Sequence, residues 1–517
     1  MRKTVLVFLA LALFMMPLVA QGGKATTVSD PNAPMELTIL YDYDIPQDAK
    51  IRQDIDKAFN VKLTVKNNYG ISTNENIQKL QLMVASGEEL DQFIAYDYNM
   101  LKKFAEQGVV AEVPIDLIKE AAPRMYAYLM KIDPGAWAFT NVDGKNYGFP
   151  TAWPLGDHSR VMSIRVDWLE NLGMQIPTTL TDLEKALYAF RNNDPDGNGL
   201  KDTYGVSFYS GSSRGTIEAF NAIYGAFGVH PYLFQIKDGK FVYGGIQPEI
   251  KEALALLNKW YKDGVIDPSF FVDNYSTFQE KWINGKFGLI PDTWWWTAGP
   301  SAKYYSGMLY DPVLKYNPNA KPTTIAPPVG PYGDQGMAQR TVMEVIPFIV
   351  FGKHLENDQA KIRRWFEIFD ELLSTEEWSV KLYHGDLGVT YKRGEGNSIE
   401  WIPPYDTVEK RQEYGMNYFS MVPNYDIYDT ATKDGAWIAK ERGKAIGPMD
   451  AISNYPLAAW TQYRVNLDTI METAYVSFIT GQRPLSEFDA FVNEWLNSGG
   501  KEVVAEATDV YNRLFKK

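Results

Sequence analysis

The stretch DPDGNGLKD at positions 194–202 carries oxygen-bearing side chains at alternate places: Asp194, Asp196 and Asn198, then Asp202. Counted as a loop, these occupy positions one, three, five and nine, with Gly199 at six and the Leu200 carbonyl at seven. That is the donor order which wraps a hard divalent cation such as calcium, the glycine permitting the sharp turn. The twelfth position is Gly205, not a bidentate glutamate, so the loop alone leaves the shell incomplete. A further ligand, Thr203 or water, has to complete it. The competing reading is a metal-free loop of Asx turns. No nucleophile or redox group accompanies the motif, so an ion there is expected to be structural.

A second chemistry lies in aromatic rings placed beside carboxylates. An aromatic face stacks on the C–H side of a pyranose while charged and amide groups bind its hydroxyls. Four places offer both ingredients near expected strand ends. Tyr41, Tyr43 and Asp44 follow the opening strand, and Tyr96 follows a short one with Asp97 and Tyr98 beside it. Trp153 is the third. The fourth is Asp292 with Trp294, Trp295 and Trp296, three consecutive indoles that cannot all enter one core because neighbours on an extended chain face opposite ways. Arg340 and Glu344 are weaker candidates. Arg165, near a strand end, has two readings: a planar fork for sugar hydroxyls, or a salt bridge to Asp167 or another acid.

No catalytic constellation stands out. There is no GxSxG, no HExxH and no Walker-type phosphate loop. The four histidines (His158, His230, His354, His384) are scattered without metal-ligand spacing. A glycosidase needs two carboxylates roughly 5–10 Å apart, and among 64 acidic residues some pair meets that by chance. A secreted glycoside hydrolase or lyase, and a glycan-adhesion protein, therefore stay open as alternatives.

These residues sit in a chain of 517 residues, too long for one hydrophobic core. The 14 Trp and 32 Tyr exceed what core packing usually demands and suit an amphipathic ligand. A net charge of −13 disfavours nucleic acid and anionic membranes. Arg2 and Lys3, an apolar run over 5–16, Pro17, then Ala20, Gly22 and Gly23 follow the order of a secretory signal peptide, assigned here to 1–22. A polar linker follows over 23–34. With no cysteine in the chain, neither a disulfide nor an acylated thiol is available. The expectation is a protein free in the periplasm.

Apolar periodicity predicts strands over 35–41, 61–66 and 92–95, interleaved with helices over 47–59 and 73–86. Such alternation implies a largely parallel, doubly wound α/β sheet. Further helices are expected over 100–107, 114–132, 180–191, 249–263, 355–374, 467–480 and 487–496. A strand running to Arg165 should turn into a helix that ends before Gly173.

From position 143 onward, whole phrases matter more than single residues: DGKNYGFP (143–150), SIRVDWLENLGMQIPTTLTDL (163–183), NKWYKDGVIDPSF (258–270), INGKFGLI (283–290) and HGDLGVTY (384–391). In this order the chain resembles the extracellular solute-binding proteins of bacterial carbohydrate ABC importers, closest to the large subgroup that includes alginate-oligosaccharide-binding proteins. The likeness runs from about residue 35 to 511. It implies a two-lobed periplasmic-binding-protein fold of type II, maltodextrin-receptor-like, with a helical C-terminal region. It also implies a monomer that does no chemistry, binds a sugar between its lobes and delivers it to membrane permease subunits. In that subgroup a comparable loop holds structural calcium, and aromatics after the glycine-lysine phrase line the site. Members commonly carry a lipoprotein cysteine, which Gln21, Gly22 and Gly23 do not supply. By analogy lobe 1 is expected to hold 35–153 and 297–347, and lobe 2 154–296 and 348–517. His384 and Tyr391 sit in a family-like phrase that an architectural role also explains.

Overall fold

The computed structural model describes residues 33–41, 45–67, 73–132, 135–151, 160–210, 216–237, 239–293, 309–338, 348–416, 427, 430–452, 455 and 457–515. Eight strands form its two main sheets: β1 (Met35–Tyr41), β2 (Val61–Asn67), β3 (Gln92–Ala95), β4 (Arg160–Arg165), β5 (Tyr204–Val206), β6 (Phe287–Thr293), β7 (Pro322–Ile325) and β8 (Phe348–Phe351). Their orders are β8-β3-β1-β2 and β7-β4-β6-β5.

The first sheet is built as the sequence pattern predicts. Leu37, Ile39 and Leu40 bury β1, and helices Lys50–Phe59 and Thr73–Ala85 return the chain so that β2 and β3 both run parallel to it. Asn60 ends the first of these helices in the left-handed region, φ 49°, which asparagine tolerates. β8 closes the sheet antiparallel to β3. The second sheet departs from the expected parallel pattern: β4 runs antiparallel to both β6 and β7, and only β5 and β6 are parallel. The cause is connectivity. β4 is the first strand of its sheet in the chain and follows Phe149 of the first lobe, so no crossover from a neighbouring strand of its own sheet sets its direction.

Two hydrophobic cores follow the two sheets. One gathers Leu37, Phe93, Leu101, Phe149, Ile349, Trp365, Phe366, Leu382 and Met416. The other gathers Ile164, Trp168, Phe190, Trp260, Trp282, Phe287, Val313, Tyr475, Trp495 and Ala507. This corrects the expected lobe boundaries. Residues 309–337 belong to the second lobe, because β7 pairs with β4, while 348–416 belong to the first, because β8 pairs with β3. The C-terminal helices Ala458–Thr480, Phe488–Trp495 and Lys501–Phe515 pack on the second core.

The expected helix over 114–132 is two helices, Ile115–Ala121 and Pro123–Ile132. Pro123 pushes the preceding Ala122 out of helical conformation, to φ −134° and ψ 60°. Asp370, on helix Gln359–Ser374, repairs the new helix start by accepting the Met125 amide at 2.7 Å and the Arg124 Nε at 2.8 Å. Among the described residues no helix is long and apolar enough to cross a membrane.

Candidate functional site

In a doubly wound sheet, ligands bind outside the carboxyl ends of the parallel strands. In the first lobe those ends are Tyr41, Asn67 and Ala95, with Tyr96 next in the chain. Tyr41 and Tyr96 are both half-buried, leaning on the first core and reaching the same rim. Asp97 caps helix Tyr98–Glu106, its Oδ1 accepting the Met100 amide at 2.8 Å. The Tyr98 hydroxyl donates to the Asn141 carbonyl at 3.3 Å. Because β8 is antiparallel, its first residue Phe348 pairs with Ala95 and stands at this rim too, with Phe149 bridging to Ile349 beside it.

The second lobe presents its own rim at the far end of β6, where Thr293 pairs with Arg160 and Asp292 with Val161. In sequence, 152–159 and 339–347 connect the two lobes. Asp292 is therefore brought to this edge by its backbone, and its side chain lies outside the described residues. So do Tyr43, Asp44, Trp153, Trp294, Trp295, Trp296, Arg340 and Glu344. Their anchors are fixed: Tyr41, Thr151, Thr293, Ala338 and Phe348.

Arg165 is corrected. It ends β4, five residues beyond the rim residue Arg160, hence about 16 Å away along the strand. There it is 2 % exposed, donates through Nε and Nη2 to Asp167 at 2.9 and 2.6 Å, and lies 4.9 Å over the Trp168 ring. The salt bridge is the reading the structure holds. His384 and Tyr391 are likewise interior, His384 fully buried among the rings of Tyr383, Tyr391 and Trp401. An aromatic group that the sequence reading missed follows β5: Tyr209 stacks on Phe208 at 4.5 Å and meets Tyr275 edge-on at 5.1 Å. The phrase SFYS directly after a strand is the signal that marks it.

The acidic loop lies between helix Leu180–Asn192 and β5, at the opposite end of β6 from the rim. Six residues of strand separate the two, about 20 Å. Asp194 (φ 47°), Gly197 (φ 69°) and Gly199 (φ 78°) all take left-handed backbone there. The Asp194 carboxylate accepts the amides of Asn198 and Gly199 at 3.0 and 2.9 Å. The Asn198 side-chain amide sits between Asp196 and Asp202, donating to them at 2.9 and 3.2 Å, and Lys286 Nζ reaches Asp202 at 2.6 Å. Partial burial, then Asp194 and Asp202 nearby, push the Asp196 carboxyl up, while Lys286 and Asn198 hold Asp202 down. Among the described residues no three His, Cys, Asp or Glu side chains stand ready-made around a metal. The donor chemistry fits a hard cation nonetheless: oxygen only, with like charges crowded at Asp196. Thr203 does not complete the shell by its hydroxyl, which is buried and donates to the Phe190 carbonyl at 2.7 Å.

Comparison with known proteins places this geometry. The family model described as "Bacterial extracellular solute-binding protein" matches residues 50–361, more than half of the chain. The polygalacturonan/rhamnogalacturonan-binding protein YtcQ of Bacillus subtilis (strain 168) is 25% identical over 499 residues, covering 93% of this chain and 91% of its own. Among solved structures, the S. pneumoniae ABC-transporter substrate binding protein FusA in complex with kestose aligns with a TM-score of 0.65 at 20% identity, over 93% of this chain and 99% of that one. Alginate-binding protein AlgQ2 without calcium ion aligns at 0.61 and 18% identity, over 93% and 98%.

Proposed function

This chain belongs to the bacterial extracellular solute-binding protein family, and from that premise we propose that it is the receptor subunit of an ABC importer. It captures a mono- or oligosaccharide between its lobes and passes it, unaltered, to permease subunits in the membrane. The observation that carries this reading is a pair of sheets with separate cores, each with a strand-end rim: Tyr41 and Tyr96 on the first lobe, and the backbone of Asp292 and Thr293 on the second, between which the chain passes at 152–159 and 339–347. Such a gap binds by closing on its ligand, which shifts an open–closed population. The names of YtcQ and FusA, each tied to a glycan, support sugar as the ligand class. The periplasm as compartment and a monomeric state belong to the same proposal; osmotic-shock release and size-exclusion chromatography decide them.

The test begins with a thermal-shift screen against an oligosaccharide panel, followed by calorimetry with the sugar that binds. Trp295→Ala, or the same change at Trp294 or Trp296, is expected to weaken binding by about 1–3 kcal/mol, the worth of one buried aromatic face. The melting temperature should hold. Full affinity in every single variant of that run, or cleavage of the sugar, rejects the proposal.

We propose further that Asp194, Asp196, Asn198, Asp202 and the Leu200 carbonyl hold a structural calcium ion. Bound there, it neutralises the crowded carboxylates and pins the loop between helix Leu180–Asn192 and β5. Asp196→Ala is expected to lower the melting temperature relative to the parent only when calcium is present. Under chelator the change removes a carboxylate held against its neighbours, so stability should stay level or rise slightly. An equal drop under chelator argues against the ion.

A further inference from the structure

Helix Lys433–Arg442 has its two ends seated on different lobes. Upstream, Ala431 is buried among Val380, Tyr391 and Ile399 of the first lobe. Its carbonyl accepts from Asn397 Nδ2 at 2.9 Å. Downstream, Glu441 is 5 % exposed and takes the hydroxyl of Thr324, on β7 of the second lobe. Lys444 Nζ closes the group, donating to Thr324 Oγ1 at 2.7 Å, to the Thr324 carbonyl at 3.0 Å, and to both Glu441 oxygens at 2.9 and 2.8 Å. The chain then stays on the second lobe, where the Ile446 carbonyl accepts the Met337 amide at 2.7 Å and Asp450 accepts the Phe234 amide at 2.7 Å. Between these seats, Lys433, Ala436 and Lys440 are exposed. The helix is thus held by its ends across a span of about 15 Å.

We infer that this helix is a strut between the lobes, and that Glu441, Lys444 and Thr324 are positioning residues which fix its second-lobe end and so set the interlobe angle. The physical reason lies in what each kind of connection transmits. An extended connection absorbs a hinge rotation in a few φ/ψ changes, whereas a hydrogen-bonded helix moves as a rod. A rod seated at both ends lets the lobes rotate only if one seat gives. The downstream seat is an ion pair between buried Glu441 and half-buried Lys444 with a bridging hydroxyl, whose geometry is specific and which is costly to leave half-made on the buried side. The upstream seat is the apolar contact of Ala431 with two side-chain donors on its carbonyl, Asn397 Nδ2 at 2.9 Å and Arg393 Nη1 at 3.5 Å. Rotation therefore has to shift one of the two seats, and the second-lobe clamp is one of the contacts that hold the lobe angle the sugar must change. The inference rests on the receptor reading above for its consequence, and on geometry alone for its premise.

The chain has no cysteine, so Lys57→Cys on helix Lys50–Phe59 and Glu502→Cys on helix Lys501–Phe515 give one label site per lobe. Interlobe distances are read by pulsed electron resonance without sugar. In Thr324→Val, and in the double variant Glu441→Gln/Lys444→Met, the distribution is expected to broaden to at least twice the parental width. A control that breaks a pair within the second lobe, Lys321→Met, which loses Glu170, leaves the width unchanged. Thr324→Val removes a single hydroxyl and is expected to keep its melting temperature within about 3 °C of the parent, so it decides the matter if the double variant unfolds early. Distributions that superimpose on the parent in Thr324→Val overturn the strut. A chain that binds no sugar in the calorimeter overturns the receptor reading and leaves the distance result standing.

Discussion

Lowering the pH from 7 to 5 is expected to cost each lobe about 2 kcal/mol of stability through one buried histidine apiece. In the first lobe His384 is fully buried, and burial, with Arg393 and Arg411 adding to it, holds its pKa down at about 3. In the second lobe His230 is 4 % exposed, and burial holds its pKa at about 4. Both groups are neutral in the fold, and both take up a proton in the unfolded chain near the ordinary value of about 6.5. The unfolded state therefore binds more protons everywhere between 6.5 and the folded values. Their contribution to stability is complete above pH 6.5 and is lost as the pH falls toward 4 for His230 and toward 3 for His384. The check is a series of thermal melts from pH 7.5 to 5. His384→Gln should flatten the slope of the first lobe's unfolding against pH, whatever it does to stability at pH 7.5. A slope as steep as the parent's would mean that His384 is not held neutral. For a receptor outside the cytoplasm, acid lability of this size would set the lower limit of its working pH.

How much of this was legible in the residues follows from what local patterns encode. β1, β2 and β3 were readable because β1 and β2 alternate, β3 is a short, mostly apolar run, and an amphipathic helix separates each from the next; the pairing found is the one such a pattern dictates. The lobe address of later segments was not readable. β7 (PTTI) and β8 (FIVF) are both four-residue strands, and nothing in four residues states which sheet they join. Only pairing with β4 and β3 decides it, and that reversed the expected assignment of 309–337 and 348–416. Arg165 failed for a related reason. Its nearness to a strand end was correct, but direction was missing: β4 is antiparallel to β6, so the end that meets the rim is Arg160. The turn of the acidic loop, by contrast, was legible, since spacing within nine residues needs no tertiary information and Gly199 takes the left-handed backbone the turn requires; the ion itself is a proposal. The strut helix escaped altogether. Its mean character is polar, and what makes it notable is two distant seats.

Gly330→Ala is expected to be among the most damaging single-methyl changes in the second lobe. A Cβ on Gly330 would lie 1.6 Å from the Ala226 carbonyl oxygen and 2.9 Å from the Ala226 Cα. That obstacle is backbone, not the far end of a side chain that can swing away. Relief requires that the loop be lifted off helix Asn221–Gly225. The loop is held on every side: the Leu180 amide donates to the Val329 carbonyl at 2.8 Å, Val329 donates back to Thr178 at 2.9 Å, and Gly330 donates to Asp334 at 2.8 Å. Further along, Gly336 is pressed as closely against Gly225, since a Cβ on Gly225 would meet the Gly336 oxygen at 1.9 Å. Lifting the loop breaks several such contacts together, which argues for a cost of about 3–4 kcal/mol, above the usual range for overpacking. In thermal unfolding that corresponds to a loss of about 6–15 °C for a lobe of this size. Gly333 supplies the contrast within the same loop. It has φ +91° but nothing within 4 Å of its Cβ position, so its demand is conformational alone, and asparagine, which strains less there than other side chains, should cost about 1 kcal/mol. Because the loop runs on to Ala338, the root of the connection back to the first lobe, Gly330→Ala should also weaken sugar binding, while Gly333→Asn lowers the melting temperature by only about 2–4 °C and leaves affinity near the parent's. Equal melting temperatures for Gly330→Ala and the parent would show that the loop does not rest on that helix.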